Sequence, residues 1–248
     1  MITHQFIGAA GTRIHAEVTG PARAPEVVCV HGLGCSHRYF RPLARTLGER
    51  LRVSAPDLPG FGRTPGPRQA LDVRGLSTAL AEWLRETGRG GSVLVANSAG
   101  CQIVVDLAVH APELLGPVVL IGPSTDRTAP SLVRQLGRLV ADAPRERPSL
   151  LVVLAWDYLV CGPRRLVATA RHLRDDPVEA KLPHVTTPAV VVRGSRDPIA
   201  SRAWARQMAA RLPAGRYVEV PGHAHALNHS APVEVAALVE SLVGSAPG

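Results

Sequence analysis

The sequence predicts an α/β fold, a mostly parallel central sheet flanked by helices, and three observations carry that expectation. Short apolar, β-branched runs alternate with helical patterns along most of the chain, the order that a parallel sheet with crossover helices requires. Several of these runs are apolar without interruption, as strands buried on both faces are. The 248 residues are enough for one substantial core, and no internal repeat or low-complexity stretch divides them.

Taken in order, the strand patterns fall at residues 12–18, 26–30, 51–55, 92–96, 118–121, 189–193 and 216–220. Helical patterns fall between them at about 38–48, 73–87, 99–110, 199–211 and 232–243. The alternation breaks once, after Ile121, and does not resume until Ala189. That interval carries helical patterns at 131–141, 149–160 and 164–173, punctuated by Pro144, Pro148, Gly162 and Pro163. Residues 124–183 therefore read as a helical insertion, a cap, in a core made of 1–123 and 184–248. An insertion of that length in a compact fold is usually functional.

Composition bounds the function. The hydrophobic share of 46% suits a soluble globular protein, and no apolar run is long enough to cross a bilayer. The opening residues lack a basic region followed by an apolar stretch, so a cytoplasmic location without a membrane partner is the expectation. The formal charge of +8 invites a nucleic-acid partner. However, Lys181 is the only lysine, and the arginines are scattered among acids with no aromatic platform beside them. A solvated basic surface, not a nucleic-acid interface, follows. The four cysteines, Cys29, Cys35, Cys101 and Cys161, have no zinc or redox spacing and are expected as free thiols.

The chemistry begins at Ser92-Val-Leu-Val-Ala-Asn-Ser98-Ala-Gly100, where a strand pattern passes through a tight turn into a helix. A serine on such a turn stands above the sheet in a strained backbone, the nucleophile-elbow motif. Small residues are needed two positions to either side, because the helix passes close to the strand. Gly100 meets that need and Ala96 departs from the usual glycine. A helix N-cap is the ordinary alternative for Ser98. A serine hydroxyl is a weak nucleophile and needs a base held by a carboxylate. Asp197 follows the late strand pattern 189–193 through a glycine-containing turn, with Asp126 as the second choice. A base is expected after the last strand, where His223, His225 and His229 all stand, and the residues alone leave His223 and His225 open. His110 reads as structural or exposed. The glycine-rich loop after residues 26–30 can turn backbone N–H groups towards an oxyanion.

The chain resembles the α/β-hydrolase superfamily along nearly its whole length. The matching pieces are His31-Gly-Leu-Gly34, Asp57-Leu-Pro-Gly-Phe-Gly62, Ala96-Asn-Ser-Ala-Gly100, Gly194-Ser-Arg-Asp197 and Pro221-Gly-His-Ala-His225, in the family's order and spacing. The resemblance implies Ser98 as nucleophile, Asp197 as acid and His225 as base. His225 is chosen because the family ends a Pro-Gly-x-x-His run there, seven residues before a proline, here Pro232. It also implies the N–H groups of Leu33 and Ala99 as oxyanion donors, structural roles for His31 and Asp57, and a helical cap at the insertion.

These expectations describe an esterase or thioesterase acting on a small-molecule ester, lactone or thioester through an acyl-enzyme, with no metal or organic cofactor. Trp156, Tyr158 and Leu159, with Leu132 and Leu136, are candidates for an apolar acyl pocket, whereas Arg164 and Arg165, adjacent on a helix and so pointing apart, read as a solvated face rather than a site for an anionic group. Two alternatives stand beside this reading. Asn97-Ser98 resembles the turn of carbon–carbon bond hydrolases of ring-fission diketones, although Ala226 replaces the tryptophan they often carry. A non-catalytic small-ligand binding protein on the same scaffold is the other.

Overall fold

The structure is a computed structural model, described here for residues 2–124 and 132–243. Eight strands form a single sheet in the order β1-β2-β4-β3-β5-β6-β7-β8. They are β1 (Ile2–Ala9), β2 (Thr12–Thr19), β3 (Glu26–Val30), β4 (Arg52–Pro56), β5 (Val93–Asn97), β6 (Val118–Ile121), β7 (Ala189–Gly194) and β8 (Gly215–Val220). β2 pairs antiparallel with both β1 and β4, and every other neighbour is parallel. The α/β expectation holds. β1 was not among the strands read from the sequence, because its side chains are mostly exposed and the segment has no buried stripe. Pairing with β2 through a turn at Ala10 and Gly11 makes it a strand; both turn residues have positive φ, as a two-residue hairpin requires.

The central strands send alternate residues to opposite sides. Val28, Val30, Leu94, Ala96, Val118 and Leu120 pack beneath α2 (Val73–Glu86), α3 (Ala99–His110) and α8 (Arg202–Arg211). Val27, Cys29, Val93, Val95, Val119 and Ile121 pack beneath α1 (Arg41–Leu47) and α10 (Pro232–Val243). Burying a valine or leucine side chain is worth about 1.5–3 kcal/mol, so both layers contribute heavily to holding the sheet.

Between β6 and β7 lie α4 (Leu132–Asp142), α5 (Pro148–Cys161), α6 (Pro163–Asp175) and the single turn α7 (Val178–Lys181). Polar ties fasten these helices to the sheet layers. Asp157, 1% exposed, accepts from Ser36 Oγ at 2.6 Å and from Arg38 Nη1 at 3.0 Å. Gln102 Nε2 donates to Leu173 O at 2.9 Å, and Lys181 Nζ lies 2.6 Å from Asp106 Oδ1. The lone lysine is thus an internal cation. Asp126, the second choice for the acid, and the side chains of Leu132 and Leu136 lie outside the described residues.

Asp57 organises the loops at one end of the sheet. Its carboxylate accepts from the N–H groups of His37 (2.7 Å) and Arg63 (2.9 Å) and meets His15 Nδ1 (2.8 Å) and His37 Nδ1 (3.0 Å). Burial raises its affinity for a proton, but the two imidazole hydrogen bonds prevail and hold it well below the usual carboxylate range. His15, His37 and Asp57 also bring three metal-capable atoms within 4.8 Å of one another, and those atoms already bond among themselves. No described helix is long and apolar enough to cross a membrane.

Candidate active site

β5 ends at Asn97, and Ser98 sits on the turn into α3 with φ 54° and ψ −119°. Only Ala10 shares a positive φ among the described non-glycine residues. Such a conformation costs roughly 1–3 kcal/mol and persists only where the surroundings enforce it. Here the Ser98 N–H is tied to Ile121 O at 2.9 Å, and its carbonyl accepts from Cys101 N at 3.0 Å. The ordinary role of a serine at this position is absent: the Ser98 side chain makes no capping bond to α3. A Cβ at Gly100 would stand 2.3 Å from Val30 O, so the helix does pass too close for a side chain. Ala96 is fully buried beside Val30 and Leu120, and its methyl is accommodated within the sheet.

Asp197 follows β7. Its Oδ1 accepts from the N–H groups of Ile199 (2.7 Å) and Ala200 (3.0 Å), which leaves Oδ2 aimed at His225 Nδ1 at 2.9 Å. His225 follows β8 and is 6% exposed, whereas His223 instead meets Ser230 Oγ at 3.3 Å. The choice that the residues alone left open is therefore settled as to which histidine reaches Asp197. Gly122, at φ 51°, makes room for the pair: a Cβ there would lie 2.8 Å from His225 Nδ1 and 3.1 Å from Asp197 Oδ2. Asn97 steadies the same loop, donating from Nδ2 to His225 O (3.4 Å) and Ile121 O (3.3 Å).

After β3, Cys35 N donates to Gly32 O at 3.2 Å, closing a turn in which Gly34 has φ 73°. A positive φ at the third residue of a turn calls for glycine, and the turn's own bond leaves the Leu33 N–H unused. Ala99 opens α3, so its N–H has no partner inside the helix. His31 stays within the scaffold: Nε2 accepts from Leu58 N at 3.1 Å, Nδ1 donates to Gly32 O at 2.9 Å, and burial lowers its basicity.

These residues share one cavity of about 420 Å³, lined by Leu33, Ser98, Ala99, Ile199 and His225 from the sheet layers. Leu139, Leu150, Leu154, Tyr158 and Leu166 roof it from the helices between β6 and β7. That size and its apolar lining suit a small-molecule ligand. Of the three acyl-pocket candidates on α5, only Tyr158 lines the cavity. Trp156 and Leu159 are 56% and 76% exposed on the opposite side of α5 and do not line it. Residues 150, 154 and 158 share one helical face and turn 156 and 159 away from it. Arg165 also lies elsewhere, donating to Pro67 O at 2.6 Å beside Gly60.

Two residues in the cavity were not anticipated. Asp142 ends α4 and Glu146 follows it, and they are 5% and 8% exposed. Glu146 Oε1 accepts from Ala226 N at 2.7 Å, directly beside His225. Asp142 Oδ1 and Glu146 Oε2 have no partner. In the sequence these acids stand among Arg138, Arg145 and Arg147 and read as part of a solvated charged surface. They add to the negative field that Asp197 sets around His225. Burial disfavours the His225 cation, but Asp197 together with Asp142 and Glu146 more than offsets it and pushes His225 up to about 9. Burial in turn pushes Asp142 up to about 7 and raises Glu146.

A serine in a strained strand-to-helix turn, sharing a cavity with a histidine–carboxylate pair at the carboxyl ends of parallel strands, is a constellation of hydrolytic enzymes. Residues 27–238 match the alpha/beta hydrolase family, and the chain belongs to it and is an enzyme of the hydrolase type. A pimeloyl-[acyl-carrier protein] methyl ester esterase of Aromatoleum aromaticum is 30% identical over 88% of this chain and 98% of that protein. A thermophilic esterase from Thermogutta terrifontis has the same fold, with a TM-score of 0.81 at 20% identity over 99% of both chains. So does the enol-lactonase from Burkholderia xenovorans, with a TM-score of 0.78 at 21% identity over 96% of this chain and 99% of that one.

Proposed function

We propose that the protein is a serine hydrolase that cleaves a carboxylic ester, lactone or thioester, with Ser98 as nucleophile, His225 as base and Asp197 as the orienting acid. The observation that carries this reading is the 2.9 Å contact between His225 Nδ1 and Asp197 Oδ2 in the cavity that Ser98 enters on its strained turn. Bonding of Nδ1–H to Asp197 leaves Nε2 as the imidazole lone pair, the tautomer a base must present. Nε2 takes the Ser98 proton as Oγ attacks the carbonyl carbon. The oxyanion is held by the N–H groups of Leu33 and Ala99, and the leaving group departs with the proton from His225. Water then repeats the steps on the acyl-enzyme, releasing the acid and restoring Ser98.

Residues 124–183 act in this reading as the cap, supplying the apolar roof, with the remainder of the chain as the core. The methyl ester esterase similarity favours an oxygen ester within this class. Turnover of a p-nitrophenyl acyl ester tests the assignment. Ser98→Ala should lower kcat by about 10⁴-fold or more. Retention of wild-type turnover in that variant would remove Ser98 from the chemistry.

A further inference from the structure

We propose that the substrate carries a primary or secondary ammonium group, which binds between Asp142 and Glu146, while its apolar remainder lies along Leu139, Leu150 and Leu154. This inference deepens the hydrolase reading and rests on it for the identity of the cavity. Asp142 and Glu146 are each more than nine-tenths buried and line the same cavity as Ser98 and His225. Each presents one carboxylate oxygen without a partner, Asp142 Oδ1 and Glu146 Oε2. A buried carboxylate oxygen left unpaired is costly, and a natural structure keeps such a group where something completes it.

The protein's own cations do not complete it. Among the described residues neither acid forms an ion pair with lysine or arginine. The arginines that precede and follow them bond to carbonyls instead: Arg138 Nη1 to Ile199 O at 3.2 Å, Arg145 to Ala141 O, and Arg147 Nη2 to Ser230 O at 2.8 Å. The remaining cation is protonated His225, which already faces Asp197. It must give up that charge to accept the Ser98 proton. At that moment Asp197, Asp142 and Glu146 stand around a neutral imidazole.

An ammonium group supplies what is missing. It offers N–H donors to the two unpartnered oxygens, and its charge replaces that of the imidazolium. Burial holds Asp142 near 7 and raises Glu146, and a cation bound beside them favours the ionised form of each. The same cation disfavours protonated His225, freeing the base as the substrate binds. The roof asks of the ligand an apolar body next to the charged end.

Calorimetric titration of the whole protein with hexylammonium and with hexan-1-ol tests this directly. At pH 7.5 hexylammonium should bind at least tenfold more tightly than the alcohol. That preference should fall to threefold or less in the double variant Asp142→Asn/Glu146→Gln, and fall measurably in Glu146→Gln alone, which can keep the Ala226 bond if the double variant does not fold. Equal affinities for the two probes, no binding of either, or a preference that survives substitution would overturn the proposal. Binding does not use the Ser98 hydroxyl, so Ser98→Ala should give the same preference. Failure of the hydrolase reading would appear separately, as unchanged ester turnover in that variant.

Discussion

Gly122 shows how narrowly the reacting groups are held. Its φ of 51° and the 2.8 Å approach of a built Cβ to His225 Nδ1 leave no space for a methyl group. Gly122→Ala should therefore displace the imidazole and lower kcat by roughly 10²-fold, since an error of about 1 Å in position has that effect. Retained circular dichroism with lost turnover would locate the defect in the site, whereas full activity would contradict the geometry. His225 sets the pH dependence. Burial opposes its charge, but Asp197, Asp142 and Glu146 push it up to about 9, so the free protein holds it largely protonated at neutral pH. A base must be unprotonated, and kcat/KM for an uncharged ester should rise with pH through about 9. Glu146→Gln removes a negative neighbour, destabilises the imidazolium, and should move that limb to lower pH; a limb that stays fixed would exclude the coupling. Ser98 was singled out by its strand-turn-helix pattern and His225 by the family resemblance, since the residues alone left His223 and His225 open. Asp142 and Glu146 were not, because acids between arginines look the same whether they face water or a cavity.

At the scale of the element, α5 explains why the sequence did not tell which of its residues face the cavity. Its sequence is apolar on every side, with Val152, Trp156 and Leu159 exposed and Leu150 buried, so periodicity gives no direction to the helix. Only its packing against the sheet layers turns 150, 154 and 158 inward. Leu154→Ala should lower kcat/KM for a medium-chain acyl ester about tenfold or more by removing buried ligand contact. Trp156→Ala should change it less than about twofold, because surface substitutions remote from the site are nearly neutral. An equal loss in both variants would place the ligand elsewhere. β1 was missed for a related reason. An exposed edge strand carries little hydrophobic pattern, and what defines it is its hairpin pairing with β2, from Ala9 opposite Thr12 to Ile2 opposite Thr19.

For the whole molecule, the positions of the central strands along the chain were readable because parallel central strands are buried on both faces and leave continuous apolar runs; their order in the sheet comes from the structure. The ties that close the molecule were less visible. Asp57 links β2, the loop after β3 and the loop after β4 through hydrogen bonds that no local pattern announces. Asp57→Ala would strand two buried imidazoles and two N–H groups, and should lower stability by about 2–5 kcal/mol, read as a fall in the urea midpoint without a change in slope. Because its folded carboxyl is held below the ordinary range, Asp57 contributes this stability above about pH 4 and loses it as the pH falls further. The difference between wild type and variant should therefore shrink in acid, and a difference independent of pH would contradict the ionised state.

The central claim is that Ser98 performs the covalent step, and reaction with a fluorophosphonate followed by peptide mass spectrometry tests it most directly. One phosphonyl adduct is expected, on Ser98, strongly reduced in His225→Ala and absent in Ser98→Ala. No adduct, or an adduct that persists when Ser98 is replaced, would contradict it.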